Sequence, residues 1–293
     1  MASKKIQSAL ISVYSKEGLE PIIKKLHELG VTIYSTGGTQ RFIEERGVPV
    51  QSVESLTSYP SILDGRVKTL HPKVFGGILA RREEDHLAQL QEYEIPQFDL
   101  VVVDLYPFED TLASTDEEAA IIEKIDIGGI SLIRAAAKNY RDVVVAASVK
   151  EYGRLLQILQ EQGGVTSLED RRALARQAFA VSAHYDTAIY HYFKRGGADE
   201  HFRHSEAESR ALRYGENPHQ RGWFHGRLEE VLEQLNGKAL SYNNLVDIDA
   251  AMQLISEFQD AEPTFALLKH TNPCGLAVRP DRKSTRLNSS HYS

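Results

Sequence analysis

The feature that most constrains the fold is a series of short, almost uninterrupted apolar runs that alternate with helical patterns in the first half of the chain. Strands with apolar side chains on both faces are typical of a parallel sheet that is covered by helices on both sides. The sequence therefore predicts an α/β fold with a parallel sheet. The predicted strands lie at residues 8–14, 31–34, 74–80, 98–106 and 142–148.

Between these runs, apolar residues recur at three- and four-residue spacing, which predicts helices. The pattern breaks at residues 194–200, where KRGGADE replaces periodic structure with glycines and charges. Such a break is typical of a domain boundary, so we predict a first domain at residues 1–198. Its predicted helices lie at residues 19–29, after the loop at 35–39, near 84–93, 116–124, 130–140 and 150–161, and over 166–194 as one long helix or two.

A smaller second domain is predicted at residues 199–280. Its pattern indicates a helix at 227–235, a loop that leads into an amphipathic helix ending near 258, and an apolar strand from 264 that ends in Lys-His before a turn with proline and glycine. The composition changes abruptly at residues 281–293, which have no apolar periodicity. We therefore interpret those residues as a non-native tail and leave them out of the fold prediction.

Composition excludes several classes of protein. A net charge of −7 does not favour nucleic-acid binding, so any anion site must come from local clusters of cations. No run approaches the ~18 apolar residues of a membrane span, and the N-terminus lacks the apolar core of a signal peptide, so we expect a cytoplasmic protein that binds no membrane. With Cys274 as the single cysteine and no HxH or HExxH spacing among the histidines, we predict no disulfide and no metal.

Polar loops follow the predicted strands, where ligands bind in open α/β sheets. STGGT at 35–39 combines hydroxyls, two glycines and a helix start, which suits a phosphate, although an ordinary capped helix start has the same pattern. DGRVKTLHP at 64–72 places Arg66 and Lys68 on one side of an extended segment. A solvated basic pair is the alternative interpretation of this second loop.

The stretch Asp126–Tyr140 joins a carboxylate, a glycine pair and two cations in one loop-and-helix segment. The glycines permit close approach to a ligand, and Arg134 and Lys138 share a helix face. Lys138 and Tyr106, the latter in DLYPF at a strand end, could move protons near a phosphate. The alternatives are an amphipathic helix with a solvated basic face and a tyrosine that only packs against the core.

Taken together, six motifs resemble one family: STGGT, GRVKTLHP, DLYPF, IDIGGISLIRAAAKN, RYGENPHQ and KHTNPCG. Over residues 6–280 they are similar, in order and spacing, to the bifunctional purine-biosynthesis family that joins IMP cyclohydrolase to phosphoribosylaminoimidazolecarboxamide (AICAR) formyltransferase. The resemblance implies a methylglyoxal-synthase-like parallel-sheet domain that closes formyl-AICAR (FAICAR) to IMP with loss of water. It also implies a partial cytidine-deaminase-like α/β region that belongs to the formyltransferase.

The resemblance assigns roles in the first domain motif by motif. Tyr106 and Asp126 would orient the carboxamide, and Lys138 would stabilise and protonate the oxygen on which charge develops, with Lys68 as a further catalytic residue. The residues implied to bind substrate are Ser12, Lys16, Ser35, Gly37, Gly38, Thr39, Arg66, Thr69, Ile127 and Gly128. One departure concerns Asp104, because the family often has asparagine before Leu-Tyr-Pro-Phe and a carboxylate can only accept hydrogen bonds.

For the second activity, the resemblance implies nucleotide binding by Arg213 and Tyr214 and proton transfer by Lys269 and His270. Asn243 or Asn244 would lie near the substrate. The formyl donor would be 10-formyltetrahydrofolate, a co-substrate, whereas the cyclohydrolase needs no cofactor. Because the family's formyltransferase region is much longer than residues 199–280, we expect this region to be inactive.

The partners implied by the resemblance are small nucleotides, FAICAR and AICAR, and a second copy of the chain in a homodimer. A different class of function remains open, namely a regulatory module on the same fold that senses a nucleotide or phosphate without chemistry. The motif KHTNPCG argues against it. Methylglyoxal synthase chemistry would need carboxylates beside the phosphate loops, whereas these loops are basic and hydroxylic.

Overall fold

The computed structural model describes residues 3–60, 62–195, 197 and 201–279. Contacts divide the chain into two units, Met1–Ser205 and Glu206–Ser293. This division lies a few residues beyond the predicted boundary, and the assignment of a separate activity to each part stays a prediction. The interpretation of 281–293 as a non-native tail falls outside the described residues.

The first unit is built around a parallel sheet of five strands. Its strand order is β4-β3-β2-β5-β6, and every neighbouring pair is parallel. The predicted parallel sheet is therefore confirmed, and β1 and β7 form a separate antiparallel pair. The strands of the first unit are β1 Lys4–Lys5, β2 Ser8–Ser12, β3 Thr32–Ser35, β4 Gln51–Ser52, β5 Leu100–Val103, β6 Val144–Ala146 and β7 Val165–Thr166.

The central strands are buried on both faces, which explains their uninterrupted apolar sequences. Neighbouring residues of a strand point to opposite faces. Ile11 and Val102 accordingly belong to one hydrophobic cluster, and Leu10 and Val101 belong to another. All four side chains are fully buried, and each such burial contributes about 1.5–3 kcal/mol.

Helices cover both faces of the sheet, as the sequence predicts. Leu26 of α1 and Leu155 of α9 belong to the cluster on one face, while Leu132 of α8 and Ala178 of α10 belong to the cluster on the other. Residues 168–194 form one continuous helix. The helices of the first unit are α1 Leu19–Glu28, α2 Gly37–Glu44, α3 Val53–Thr57, α4 Pro72–Leu79, α5 Glu84–Glu92, α6 Phe108–Ser114, α7 Glu118–Ile122, α8 Gly128–Lys138, α9 Tyr152–Glu161 and α10 Leu168–Lys194.

The strand predicted at 74–80 is wrong, because these residues belong to helix α4. Pro72 is compatible with a first helical turn, and the His71 ring accepts a hydrogen bond from Lys73 N at 3.1 Å. The run is apolar because Val74 and Ile78 of α4 belong to the buried cluster on one face of the sheet, and the Gly77 carbonyl accepts a hydrogen bond from Phe98 N, just before β5, at 3.1 Å. Periodicity alone cannot distinguish a short buried helix from a buried strand.

The second unit contains two antiparallel hairpins and one helix among its described residues, 206–279. The predicted amphipathic helix is present as α11, and a capping box of Ser241 and Asn244 begins it. However, α11 has no buried residue, and Met252 and Ile255 are exposed. The elements are β8 Ser209–Ala211, β9 Trp223–His225, α11 Tyr242–Ser256, β10 Thr264–Lys269 and β11 Asn272–Val278.

Two local predictions for the second unit are wrong. The helix predicted at 227–235 is only a 3-10 turn at Leu228–Glu230, since Leu228 is buried but Leu235 is 85% exposed and no apolar face supports a longer helix. The chain reverses at His270 and Thr271, both with positive φ, rather than at a later proline and glycine. Residues 273 and 275 instead lie within β11.

The contact between α4 and the segment before β5 predicts a specific sensitivity at Gly77. A Cβ atom there would lie 2.2 Å from the Pro96 carbonyl oxygen and 2.7 Å from the Phe98 ring, so the helix would have to move. We expect Gly77→Ala to lower the free energy of unfolding by about 1–3 kcal/mol in urea denaturation. Gly153→Ala is the control, because a Cβ there has no neighbour within 4 Å, and it should be neutral or stabilising. Equal midpoints for both variants would contradict this account.

Candidate functional site

A cavity of about 890 Å³ opens at the carboxyl ends of β2, β3 and β5. These three strands are neighbours in the sheet, so the loops that follow them meet at one edge. The start of α8 and the loop before α4 complete the wall. The lining residues relevant to chemistry are Ser12, Tyr14, Lys16, Thr36, Gly38, Thr39, Arg66, Lys68, Thr69, Asp104, Tyr106, Glu123, Asp126, Ile127, Gly128 and Gly129.

Most residues predicted for the first unit's site therefore lie on one cavity. Ser35 does not line it, because its side chain is buried and its hydroxyl donates to the Ile11 carbonyl at 2.6 Å. Gly37 is adjacent rather than lining, and a Cβ on it would lie 3.1 Å from Lys68 Nζ. Its φ of +55° also favours glycine. Both residues thus lie directly behind the residues that line the cavity.

The turn at residues 13–16, which follows β2, is held from several sides. The Thr39 hydroxyl donates to the Val13 carbonyl at 2.9 Å and accepts from Val13 N at 3.1 Å. The Lys16 ammonium donates to the carbonyls of Val13 and Tyr14, at 2.9 Å for Tyr14. Burial lowers the pKa of Lys16, Asp104 opposes this effect, and the charge of Lys68 adds to it.

The loop at residues 66–69 lies between Gly37, at the start of α2, and Gly128, at the start of α8. Lys68 Nζ is next to Gly37, and a Cβ on Gly128 would lie 3.0 Å from the Thr69 hydroxyl. Arg66 forms an exposed ion pair with Glu123 at 2.5 Å. Two cations and a buried threonine hydroxyl are consequently close to two helix starts, an arrangement that suits an anion.

Asp126 organises the start of α8. Its Oδ1 accepts a hydrogen bond from Gly129 N at 2.6 Å, and a Cβ on Gly129 would lie only 2.7 Å from Oδ2. The glycine is therefore required for this close contact. Burial raises the pKa of Asp126, and backbone hydrogen bonds, the first from Gly129, partly oppose the increase.

Tyr106 lies at the mouth of the cavity in an aromatic pair. Its ring packs edge-on against Tyr14 with 5.5 Å between centroids, and Lys124 Nζ lies 5.4 Å from the Tyr106 ring and 5.7 Å from the Tyr14 ring. Burial raises the pKa of Tyr106, as does the charge of Asp126. The phenol is thus a hydrogen-bond donor at neutral pH.

Lys138 is not brought to this cavity within the chain. It lies at the opposite end of α8, roughly 15 Å along the helix axis from Gly128. It lines a second cavity of about 740 Å³ together with Lys4, Arg141 and Asp142. The expectation that Lys138 lies beside Tyr106 and Asp126 is corrected at this point, because a shared helix face says nothing about position along the axis, and its catalytic role stays a prediction.

Residues predicted for the second activity lie in the second unit. The Arg213 guanidinium is 4.8 Å from the centroid of the Tyr214 ring, and Lys269 and His270 are exposed at the hairpin turn. Asn243 donates to the Glu216 carbonyl at 3.0 Å, while Asn244 caps α11. Their roles in formyl transfer stay predictions.

One contributor to the site was missed in the sequence, and the role of another was left in doubt. The hydroxyl of Tyr185, on α10, accepts from Asp126 N at 2.9 Å and donates to the Lys124 carbonyl. No sequence pattern indicates this contact, which joins residues about 60 positions apart. Asp104, doubted as a substrate contact, accepts hydrogen bonds from Tyr14 N and from Ser15 N, the latter at 2.9 Å.

Two kinds of feature are absent from the described residues. No group of three or more histidine, cysteine, aspartate or glutamate side chains in that part of the chain is placed to hold a metal ion. None of the helices among the same residues is long and apolar enough to cross a membrane.

The Tyr185 contacts predict a measurable effect of removing one oxygen. Burial raises the pKa of Tyr185 to about 12, and Tyr185→Phe would leave the Lys124 carbonyl and Asp126 N without this partner. We expect a loss of about 1–3 kcal/mol in the free energy of unfolding. Tyr190→Phe, which removes an exposed hydrogen bond to the His201 carbonyl, is the control and should change it by less than about 0.5 kcal/mol. A Tyr185→Phe protein as stable as this control would contradict the role of the hydroxyl.

Comparisons with known proteins agree with this architecture. Residues 136–289 match the family model described as AICARFT/IMPCHase bienzyme, and residues 18–131 match that of the MGS-like domain. "Bifunctional purine biosynthesis protein PurH" of Bacteroides thetaiotaomicron is 61% identical over 279 residues, 95% of this chain and 54% of that protein. The protein of the same name from Bacillus subtilis is 45% identical and covers 93% of this chain and 55% of its own length.

The chain thus spans about half the length of the curated relatives it matches. A solved structure, "Crystal structure of ForH", is similar with a TM-score of 0.57 and 35% identity, and the match covers 64% of this chain and 99% of that one. The chain belongs to the AICARFT/IMPCHase bienzyme family, and its first part contains an MGS-like domain.

Proposed function

We propose that the first unit binds FAICAR and closes it to IMP with loss of water, as an IMP cyclohydrolase in purine biosynthesis. The observation that carries this proposal is the convergence of Lys16, Lys68 and Arg66 on a cavity that also contains Asp126 and Tyr106. The printed name of the relatives, a bifunctional purine biosynthesis protein, supports the pathway.

The phosphate of the nucleotide would bind at the basic end of the cavity. Lys16 supplies charge there, Thr36 and Thr69 supply hydroxyls, and the start of α2 supplies backbone N–H groups. Arg66 would exchange Glu123 for the phosphate. That exchange costs little, because an exposed ion pair is worth only about 0–1 kcal/mol.

Ring closure would occur between Tyr106 and the start of α8. The carboxamide nitrogen attacks the formyl carbon and loses a proton, and the formyl oxygen takes up a proton and becomes a hydroxyl. This hydroxyl leaves as water with a second proton, which comes from the other nitrogen on the same carbon as the C=N bond forms. Tyr106 would donate a hydrogen bond to the developing oxyanion, since burial keeps its phenol protonated. Asp126 would fix the backbone around Gly128 and Gly129, next to the reacting atoms.

Lys68 is better placed than Lys138 to assist this step. The loop that carries Lys68 lies next to Gly37, at the start of α2, and next to Gly128, at the start of α8. Lys138 lies at the other end of α8. We therefore assign charge stabilisation to Lys68 and leave Lys138 outside the reacting centre. A homodimer remains a prediction from the family resemblance.

The assignment is tested by a matched pair of lysine variants. In an absorbance assay of IMP formation by the full chain, we expect Lys68→Met to lower kcat/KM by about 10- to 150-fold. This factor corresponds to the free energy of one hydrogen bond to a charged group. Lys138→Met should stay within about threefold of the unchanged protein. Loss of turnover in Lys138→Met would support the catalytic role that the resemblance implies for this lysine. A folded chain that forms no IMP would contradict the proposed function itself.

We also propose that this chain does not transfer a formyl group by itself. Lys269 and His270 are exposed, whereas a proton-transfer pair that stabilises developing charge acts best where water is excluded. In the described part of the second unit, α11 buries no side chain that could wall off such a site.

Formyl transfer is directly measurable. With AICAR and 10-formyltetrahydrofolate added to the full chain, we expect no tetrahydrofolate to form above the rate of a His270→Ala control. Turnover that depends on His270 would overturn this proposal without affecting the cyclohydrolase assignment.

A further inference from the structure

The second cavity, of about 740 Å³, lies at the edge of the sheet opposite the proposed nucleotide site. One of its walls is the loop at residues 138–142, which runs from the end of α8 to just before β6. Because the strands of the sheet are parallel, the amino end of β6 and the carboxyl ends of β2, β3 and β5 lie at opposite edges. A ligand in the second cavity would therefore leave the nucleotide cavity open.

Positive charge predominates in the second cavity, although the chain as a whole has a net charge of −7. Lysine and arginine side chains line most of it, and the carboxylates that line it are those of Glu83 and Asp142. A concave site with an excess of cations attracts anions, because its low-dielectric walls concentrate the electric field. The lining cations are Lys4, Arg81, Arg82, Lys138, Arg141 and Arg171.

The inner cations share the carboxylate of Asp142. It forms an ion pair with Lys4 at 2.8 Å. Burial lowers the pKa of Arg82 and of Arg171, and the charge of Asp142 opposes this effect in both. Each arginine is also near one further aspartate, but those two aspartates do not line the cavity. The cost of burying these positive charges is thus only partly offset, and a bound anion would reduce it further.

The two inner arginines are also held rigidly. The Arg82 guanidinium donates to the carbonyls of Ala80 at 2.9 Å and Phe98 at 2.8 Å, and that of Arg171 donates to the Tyr140 carbonyl at 3.0 Å. A carbonyl is a neutral acceptor, so these hydrogen bonds fix the guanidinium groups without cancelling their charge. The positive potential of the cavity is consequently present before any ligand arrives.

The outer cations are the ones that can contact a ligand directly. Lys138 and Arg141 are exposed, and neither forms an ion pair with a carboxylate among the described residues. Arg81 is exposed and pairs with Glu83 at 3.3 Å, an interaction worth only about 0–1 kcal/mol in water. Guanidinium groups match the oxygens of a phosphate with two parallel hydrogen bonds, so these arginines suit a phosphate group.

The cavity also has an apolar part. Leu79, Tyr140 and Leu168 line it, and Leu79 is 38% exposed. Sites for small molecules typically combine apolar walls with a few charged groups that fix the orientation of the ligand. This combination fits an organic phosphate better than a bare inorganic ion.

We propose that the second cavity is a binding site for a small organic phosphate. Its phosphate group would contact Arg81 and Arg141, and its apolar part would pack against Leu79 and Tyr140. The inference goes beyond the proposed cyclohydrolase activity and does not depend on it, because neither arginine has a role in the proposed ring closure.

The experiment is a titration of the full chain with AMP, followed by amide NMR spectroscopy, which measures the two cavities separately. The amides of Asn139 and Tyr140 report the second cavity, and that of Gly38 reports the nucleotide cavity. We expect Arg141→Gln to raise the Kd obtained from Asn139 and Tyr140 about tenfold or more, the effect of losing a hydrogen bond to a charged group. The Kd obtained from Gly38 should stay within about twofold.

Arg176→Gln is the matched control, because it removes the same charge from an exposed position on α10 that lines neither cavity. It should leave both Kd values within about twofold. Two results would overturn the inference. One is the absence of a saturable shift at Asn139 and Tyr140, and the other is a Kd there that Arg141→Gln changes no more than Arg176→Gln does.

Two further probes test the chemical class of the ligand. Succinate carries two negative charges without a phosphate, and inorganic phosphate lacks the apolar part. We expect AMP to bind the second cavity more tightly than either probe. Succinate binding as tightly as AMP would overturn the phosphate assignment, and inorganic phosphate binding as tightly would overturn the organic part. These titrations measure no turnover, so they would remain decisive for a chain that formed no IMP.

Discussion

The position of β2 between β3 and β5 is the constraint on which the rest of the first unit depends. Ile11 pairs with Ser35 on one side, and Ser12 pairs with Val103 on the other, so the three strands end at the same level. Because both faces of β2 are buried, a shift of one residue would move every apolar side chain to the wrong cluster. The hydrophobic core thereby fixes the register, and the register brings the three loops together.

The cavity formed at that edge is electrostatically prepared for an anion. The carboxylates of Asp104 and Asp126 accept hydrogen bonds from backbone N–H groups. Neither carboxylate is therefore used mainly to pair with a lysine or arginine of the neighbouring loops. Arg66 has an acidic partner in Glu123, but that pair is exposed and weak. The two carboxylates hold the backbone, and Lys16 both holds it, through the Val13 and Tyr14 carbonyls, and supplies charge to the cavity.

Sequence reasoning found the loops of the site but not their supports. STGGT follows β3, so its place at the carboxyl edge of the sheet was predictable, whereas GRVKTLHP precedes the segment that was misread as a strand, and only the family resemblance placed it at the site. The α4 segment was misread because buried helices and buried strands share a composition when they are short. The Tyr185 contact joins two helical regions far apart in the chain, and no local pattern contains that information.

Lys138 shows how a correct secondary-structure prediction can still misplace chemistry. The sequence correctly predicted the helix and its basic face, yet a helix of eleven residues is long enough to carry its last residue away from the edge where it begins. Asp126 escaped this error because it lies before the first turn, where α8 meets the sheet edge. Residues next to the carboxyl ends of the strands are therefore the ones whose spatial neighbours a sequence predicts best. The turn at 13–16 obeys the same rule, since Asp104 and Lys16 both lie within a few residues of a strand end.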